Sequence, residues 1–372
     1  MADSIGVGIL GFGSYLPATV RGNDFWPKDF RPDGERERQK NLLAIERSTE
    51  GKENQVVPEI AAAMAQLGDD PFRGARLRHV IGEEEDPSDM EAEACRRAMR
   101  AAGVRPDEID LVMVSSLVQD RLYPTNGPAI QAKCELTNAT AWSLELGCAS
   151  FQPQLIAAAA LIRTGVYRRV LLVESSAASR TIDYQSAISL QFGDGAAAVV
   201  VGEVPAGRGL IGQFTRTDGS LREGIVNAPI VDGQPARRWD RAAGLIRLSS
   251  FAPELGKRAG LRSTEFCREA CLGALASAGL AVSDVKLFLA NQSVGWLVDA
   301  CRRSIGVPAE KTYETFREVA NIGAAAIPYN LGRAHREGRL EEGDVVLMYS
   351  PGAGFTRGAI VYRWIAPSGV IM

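Results

Sequence analysis

Leu144-Glu145-Leu146-Gly147-Cys148-Ala149-Ser150-Phe151 sets one cysteine where an apolar strand stops and an alanine-rich helical run, 151–162, begins. A thiol at the start of a helix lies near the positive end of the helix dipole, which favours thiolate over thiol. The pattern therefore predicts a soft nucleophile made without a metal. The chain has only two histidines, His79 and His335, and neither lies in a catalytic context. Cys148 thus reads as an acyl-accepting nucleophile whose imidazole partner is missing.

Outward from this turn, strands and helices alternate. Ser88-Asp-Met-Glu91 reads as a capping box opening a helix that runs to about Ala102 and stops at Gly103. Residues 111–115 read as a buried strand, 126–136 as a helix and 142–146 as the strand that leads to Cys148. Beyond the nucleophile, 170–174 is a strand, and Phe192-Gly-Asp-Gly195 turns into the apolar strand 196–202. After a polar, glycine-rich stretch at 203–240 the order recurs. Helices are expected at 263–278, 294–305 and 324–337, with strands at 286–290, 345–349 and 358–364. Such alternation implies α/β layers, with sheets covered by helices. Its recurrence implies two related halves, an N-terminal one over 1–205 carrying the nucleophile and a C-terminal one over 206–372. Residues 28–73 interrupt the first half and read as an insertion or lid, with a helix around 58–67. The opening strand, 5–10, is expected to end in a turn at Gly11 and Gly13. Its Gly6-Val-Gly8-Ile-Leu-Gly11 matches GxGxxG literally. The glycines lie inside the strand and no helix follows before Pro17, so the match does not indicate a dinucleotide site.

A chain of 372 residues with 46% hydrophobic content can bury a large core. The formal net charge is -3, and the basic residues are scattered rather than striped, which argues against nucleic acid or an anionic membrane as partner. No signal peptide or membrane span is expected, because no apolar run approaches ~20 residues. Cysteines at 95, 134, 148, 267, 271 and 301 contain no CxxC. The five other than Cys148 read as buried free thiols of a reducing, cytoplasmic compartment.

Several segments together resemble the β-ketoacyl-acyl-carrier-protein synthase III group of the thiolase superfamily. They are Gly13-Ser-Tyr-Leu-Pro17, Arg76-Leu-Arg78-His79, Tyr123-Pro124, Gly147-Cys148-Ala-Ser-Phe151, Phe192-Gly-Asp-Gly-Ala196, Asn321 in its Gly-Ala-Ala context, and Gly352-Ala-Gly-Phe-Thr-Arg-Gly358. The resemblance implies a thiolase-like five-layered αβαβα fold of two similar halves, a homodimer, and an acyl thioester on Cys148. The family uses a Cys-His-Asn set. Its His-Gln-Ala-Asn segment corresponds here to Asn291-Gln292-Ser293-Val294, and its His-Gly-Asn-Thr-Ser segment to Val319-Ala320-Asn321-Ile322-Gly323. The resemblance therefore implies a Cys148, Asn291, Asn321 set, with histidine replaced by Asn291. It implies oxyanion donors at the backbone N–H of Cys148 and of Ala353, worth about 3–4 kcal/mol each. Tyr123 matches an aromatic that reaches the partner's substrate tunnel, and Arg76 and Arg78 are candidates to face a phosphopantetheine or carrier protein. The arginine and tryptophan with which the family grips the coenzyme A nucleotide have no clear counterparts, which favours an acyl-carrier-protein donor over a free CoA thioester. No permanently bound cofactor and no metal are expected.

What the change to asparagine removes is a group that exchanges protons near neutral pH, typically worth ~100- to 10,000-fold in rate. Glu145 and Glu174 are the candidate substitutes, since a carboxyl in apolar surroundings has a raised pKa and can act as base. The alternative for each is a surface position or an arginine partner. Asp194 reads as structural, holding its turn. The expected activity is acyl loading on Cys148 followed by Claisen-type condensation with a malonyl- or β-ketoacyl-thioester, in specialised, polyketide-like metabolism. The alternatives are acyl transfer to a hydroxyl or amine without decarboxylation, and a non-catalytic partner subunit. The intact motif around Cys148 counts against the last.

Overall fold

The structure, a computed structural model, describes residues 5–28, 30, 57–237 and 245–372. Much of the expected lid, at 29 and 31–56, and residues 238–240 of the polar stretch lie outside the described residues. From the N-terminus come β1 (Gly6–Tyr15), β2 (Thr19–Gly22), β3 (Leu77–Val80), β4 (Leu111–Ser116), β5 (Thr140–Ser143), β6 (Val170–Ser176) and β7 (Gly195–Val204). The chain continues through β8 (Gly209–Thr217), β9 (Val226–Val231), β10 (Gln234–Pro235) and β11 (Ile246–Ser249). It ends with β12 (Val285–Ala290), β13 (Val345–Pro351), β14 (Thr356–Arg363) and β15 (Gly369–Ile371).

Ten of these strands form one sheet in the order β12-β13-β14-β8-β1-β7-β6-β4-β5, with β15 also beside β1. Along β5-β4-β6-β7-β1 the neighbours pair parallel, parallel, antiparallel, antiparallel. Along β12-β13-β14-β8 they pair parallel, antiparallel, antiparallel. Thr312 bridges Phe288 in parallel where a counterpart of β5 would lie. One strand pattern therefore occurs twice, and the two copies meet at the pair Val7↔Gly209 of β1 and β8.

Helices cover both copies. Pro87–Ala102 lies on β1, β6 and β7, and Asn126–Lys133 on β4 and β5. Ser263–Ser277 lies on β8, β13 and β14, and Leu297–Ile305 on β12. Between the copies, Phe151–Arg163 touches β1, β6 and β7 on one side and β8, β13 and β14 on the other, while Ala326–Arg336 touches β1, β7 and β12. The result is the five-layered αβαβα arrangement. Strand alternation shows why it is stable. Leu111, Met113, Val170 and Leu172 face the middle layer with Phe151, Leu155 and Ile162. Val112, Val114, Leu171 and Val173 face the outer helix with Met90, Ala94 and Ala98. Both faces of these strands are buried, so they read as continuous apolar runs.

Four expectations are corrected. The first strand does not turn at Gly11 and Gly13 but runs on to Tyr15. Those glycines serve close packing: a Cβ on Gly11 would lie 2.5 Å from the Ala102 nitrogen, and one on Gly13 only 2.2 Å from the Ala94 carbonyl oxygen. The Pro87–Ala102 helix is capped by a box between Asp86 and Asp89, not Ser88 and Glu91, because Pro87 occupies the first turn. Its end at Gly103, with φ 65°, is as expected. The strand before the nucleophile stops at Ser143 rather than 146, and the helix after β12 begins at Leu297 rather than 294. Within the segment expected as an insertion or lid, Pro58–Ala65 is a helix whose Ile60 and Ala63 pack on Ala300.

The close approach at Gly13 gives a direct test. Gly13→Ala is expected to lower stability by about 1–3 kcal/mol or more, because the methyl can be admitted only by lifting the helix off the strand. The readout is the midpoint of denaturant unfolding; an unchanged midpoint would contradict the packing described.

Candidate active site

In open α/β sheets, ligands bind outside the carboxyl ends of the strands. Four chain segments arrive there from the two copies: the turn after β5 with Cys148, the end of β6 with Glu174, Asn291 directly after β12, and Gly352–Gly354 after β13. The main chain ties them together. Asn291 N donates to Tyr349 O at 2.8 Å. A Cβ on Gly352 would lie 2.1 Å from Leu146 O and 2.9 Å from Ala149 N, and one on Gly147 would lie 2.8 Å from Ala353 N. The Cys148 turn and the turn carrying Ala353 are thus in backbone contact, and only glycine fits between them.

The nucleophile turn has its own internal bracing. Gly147 adopts φ 60°, a left-handed conformation that favours glycine. Its N–H donates to Glu145 Oε1 at 2.8 Å, and its carbonyl accepts from Ser150 Oγ at 2.7 Å. Leu146 N donates to Ser150 Oγ at 2.8 Å. Cys148 keeps part of its surface open to solvent, whereas the other five cysteines are buried.

The expected thiolate is corrected. Burial first, and the Glu145 charge second, push the Cys148 thiol up to about 12, against a smaller opposing pull from its own backbone N–H. The first helical residue is Phe151, three positions on. A helix start contributes only about 0.3–1 kcal/mol, which desolvation beside an anion outweighs. Burial and the Glu145 charge thus both work against a resting thiolate.

The asparagines are brought together through two residues that sequence reading missed, Ser293 and Gly323. Asn291 is fully buried; its Nδ2 donates to Gly323 O at 2.7 Å, and its Oδ1 accepts from Ser293 Oγ. Asn321 Oδ1 accepts from Gly323 N at 2.9 Å, and its Nδ2 donates to Ser293 O at 3.4 Å. Each amide therefore commits one N–H to the opposite loop and retains a second. Gln292 reinforces the junction by donating to Ala320 O at 2.7 Å and accepting from Asn330 Nδ2 at 2.9 Å. Between these bonds Ala320 sits at φ 56° and ψ −148°, a region nearly confined to glycine.

The two candidate bases differ in exposure, and among the described residues neither is paired with arginine. Glu145 is exposed, the surface position that the sequence left open, yet its carboxylate is engaged by the nucleophile turn. Partial desolvation raises its carboxyl, against the pull of donors on Ser115, Gly147 and Ser150. Ser115 Oγ donates to its Oε2 at 2.9 Å. Glu174 is fully buried, and among the described residues neither carboxyl oxygen has a hydrogen-bond partner. Burial, then the Glu145 charge, hold it well above the carboxylate range. Sequence reading missed a third acid, Glu91, buried on the opposite face of the sheet. It accepts from Ser116, Ser175 and Asn126, and burial pushes it up to about 7. Its signal was a glutamate on the apolar face of an amphipathic helix.

Other candidates separate clearly. Arg78 is corrected: it is 1% exposed, donates through Nε to Leu190 O at 2.9 Å and lies over the Trp26 ring, so it is core rather than a carrier contact. Burial also lowers its guanidinium to about 10. Arg76 stays exposed, and Tyr123 is 87% exposed. Asp194 is buried and accepts from Ile81 N at 2.8 Å and Ser179 N at 3.0 Å, which holds its turn. His79 Nδ1 lies 2.7 Å from Pro17 O. His335 is half-buried, its ring 5.2 Å from that of Trp364. Among the described residues no cluster of side chains could hold a metal, and no helix is long and apolar enough to cross a membrane.

Two family models match the chain. One, described as 3-oxoacyl-(acyl-carrier-protein) synthase III, covers residues 143–219; the other, the C-terminal part of the same synthase, covers 275–364. A β-ketoacyl-(acyl-carrier-protein) synthase III of Allorhizobium ampelinum is 30% identical over 78% of this chain and 88% of its own. The synthase III structure from Thermus thermophilus shares 28% identity, with a TM-score of 0.75 over 96% of this chain and 99% of that one. A priming β-ketosynthase from a polyketide biosynthetic pathway is 26% identical, with a TM-score of 0.75 over 99% and 98%.

Proposed function

The chain belongs to the 3-oxoacyl-(acyl-carrier-protein) synthase III family, and from that premise we propose that it loads an acyl group on Cys148 and condenses it with a malonyl- or β-ketoacyl-thioester. The observation that carries this is the backbone contact between the Cys148 turn and Ala353. It leaves the N–H groups of Cys148 and Ala353 as the pair to hold a tetrahedral oxyanion. Asn291 and Asn321 each keep an uncommitted amide N–H, and two such donors can stabilise the thioester enolate formed as carbon dioxide leaves. When decarboxylation supplies the carbanion, carbon–carbon bond formation needs no deprotonation of the acceptor, so the lost histidine is dispensable for that step. Specialised, polyketide-like metabolism fits a site so altered, and the likeness to a priming ketosynthase points the same way. A carrier-protein donor, met at Arg76, and a homodimer in which Tyr123 reaches the partner's tunnel belong to the same reading, as does a cytoplasmic setting.

Intact-mass spectrometry after exposure to acyl thioesters tests it. A covalent acyl adduct, followed by carbon dioxide release when malonyl thioester is added, is the expected result. An adduct with no carbon dioxide release would move the assignment to acyl transfer onto a hydroxyl or amine. No adduct from CoA or carrier-protein thioesters would leave a non-catalytic partner subunit. Asn291→His is expected to raise malonyl decarboxylation up to about 100-fold; an unchanged rate would mean that residue 291 does not face the enolate.

A further inference from the structure

A partly buried thiol beside an anion must lose its proton before or as it attacks, and no imidazole adjoins it: His79 is tied to Pro17 and His335 lies against Trp364. The charge that bears on Cys148 is Glu145, which shares its turn. Behind Glu145 stands a second acid in an unusual condition. Glu174 is 0% exposed, and among the described residues both carboxyl oxygens lack a hydrogen-bond partner. A carboxylate so placed would be an uncompensated buried charge, so the group must carry its proton. Its neighbour across the parallel ladder is Ser115 of β4, and Ser115 Oγ donates to Glu145 Oε2. Strand alternation fixes the faces. Ser115 and Glu174 share the phase of Met113 and Leu172, towards the middle layer that holds the nucleophile's helix. Ser116 and Ser175 point the other way, to Glu91. The charges that bear on Glu174 are Glu145 beside it and Glu91 through the sheet, and Asp120 in turn bears on Glu91.

We infer that Glu145 is the base for Cys148, held as the charged member of a carboxyl pair whose proton resides on Glu174, with Ser115 between them. The inference deepens the loading step proposed above and rests on it. As the sulfur of Cys148 bonds to the acyl carbon, its proton passes to the Glu145 carboxylate. The carbon–sulfur bond of the donor then breaks, and the departing thiolate takes that proton and leaves as a thiol. Glu145 is again anionic, and no redox partner is needed. Two carboxyl groups crowded together do not both ionise readily, so the buried, unsolvated Glu174 keeps its proton and leaves the charge on Glu145, which has donors to receive it. Ser115 and Glu174 are positioning residues in this scheme.

The test measures two rates on the full chain between pH 7 and 10: alkylation of Cys148 by iodoacetamide, followed by peptide mass, and acyl loading from a thioester. Glu145→Gln removes the anion that disfavours thiolate, so alkylation at a given pH should accelerate. The same change removes the base, so loading should fall about 100-fold or more. Opposite movements are the signature. A Glu145 acting only through its charge would speed both, and one acting only as a brace of the turn would slow both; either result overturns the inference. Glu174→Gln should give an alkylation profile that overlays the unmodified protein's near neutral pH. Acceleration like that of Glu145→Gln would show that Glu174 is an anion and would equally overturn it. If the unmodified protein forms no adduct, the loading step itself fails and this inference with it. Adduct formation by the unmodified protein with undiminished loading by Glu145→Gln removes this inference alone.

Discussion

Cys148→Ala is expected to eliminate the acyl adduct and to depress condensation by at least about 10⁴-fold. The size follows from the absence of a substitute. The remaining five thiols are buried in the two outer cores, away from the turn that meets Ala353. The oxyanion donors and the asparagine amides survive the change, but with no covalent intermediate they have nothing to stabilise. Malonyl decarboxylation is a separate matter, since it needs the enolate donors and not the thiol. Carbon dioxide release by Cys148→Ala, without ketone product, is therefore the expected residue of activity. Retention of an acyl adduct on this variant would place the nucleophile elsewhere and remove the basis of the proposed function.

Gly352→Ala should have the next largest effect. The added methyl would lie 2.1 Å from Leu146 O and 2.9 Å from Ala149 N, distances that no rotamer relieves because both atoms are backbone. The turn carrying Ala353 must then move away from the turn carrying Cys148, and one of the two proposed oxyanion donors leaves its place. Loss of one such donor costs about 10²–10³ in rate. Loading should fall by that amount while far-UV circular dichroism stays native, because the clash is confined to two loops. A variant that loads acyl groups at the original rate would show that the contact does not shape the site.

The nucleophile turn and the alternation of strands and helices were legible in the sequence because both are local patterns: an apolar run, a glycine, a cysteine and a helix-forming stretch in series. The choice of Asn291 and Asn321 came instead from the resemblance to the family's segments, and the structure joins their two loops through side-chain amide bonds. What was not legible depends on neighbours distant in the chain. Gly11 and Gly13 look like a turn until the helix lying across them is known. Arg78 looks like a surface group until Trp26 and Leu190 enclose it. The ionisation of Cys148 was misjudged for the same reason. Its helix is written in the sequence, but its desolvation by surrounding loops is not, and the neighbouring Glu145 was read only as a possible base. Ser293 and Gly323 gave no signal at all, since a serine and a glycine in a loop are unremarkable until two side-chain amides bind them.

Ala320 carries a methyl group in a backbone conformation that side chains avoid, at a cost of order 1–3 kcal/mol. Its carbonyl is held by Gln292 and its N–H by the carbonyl of Phe316. Asn321 is the next residue, so the amide proposed to hold the enolate rests on a loop that would relax elsewhere if those two ties loosened. On gentle warming, enolate-side chemistry is therefore the first property to fade, ahead of the cooperative melting of the layers beneath it.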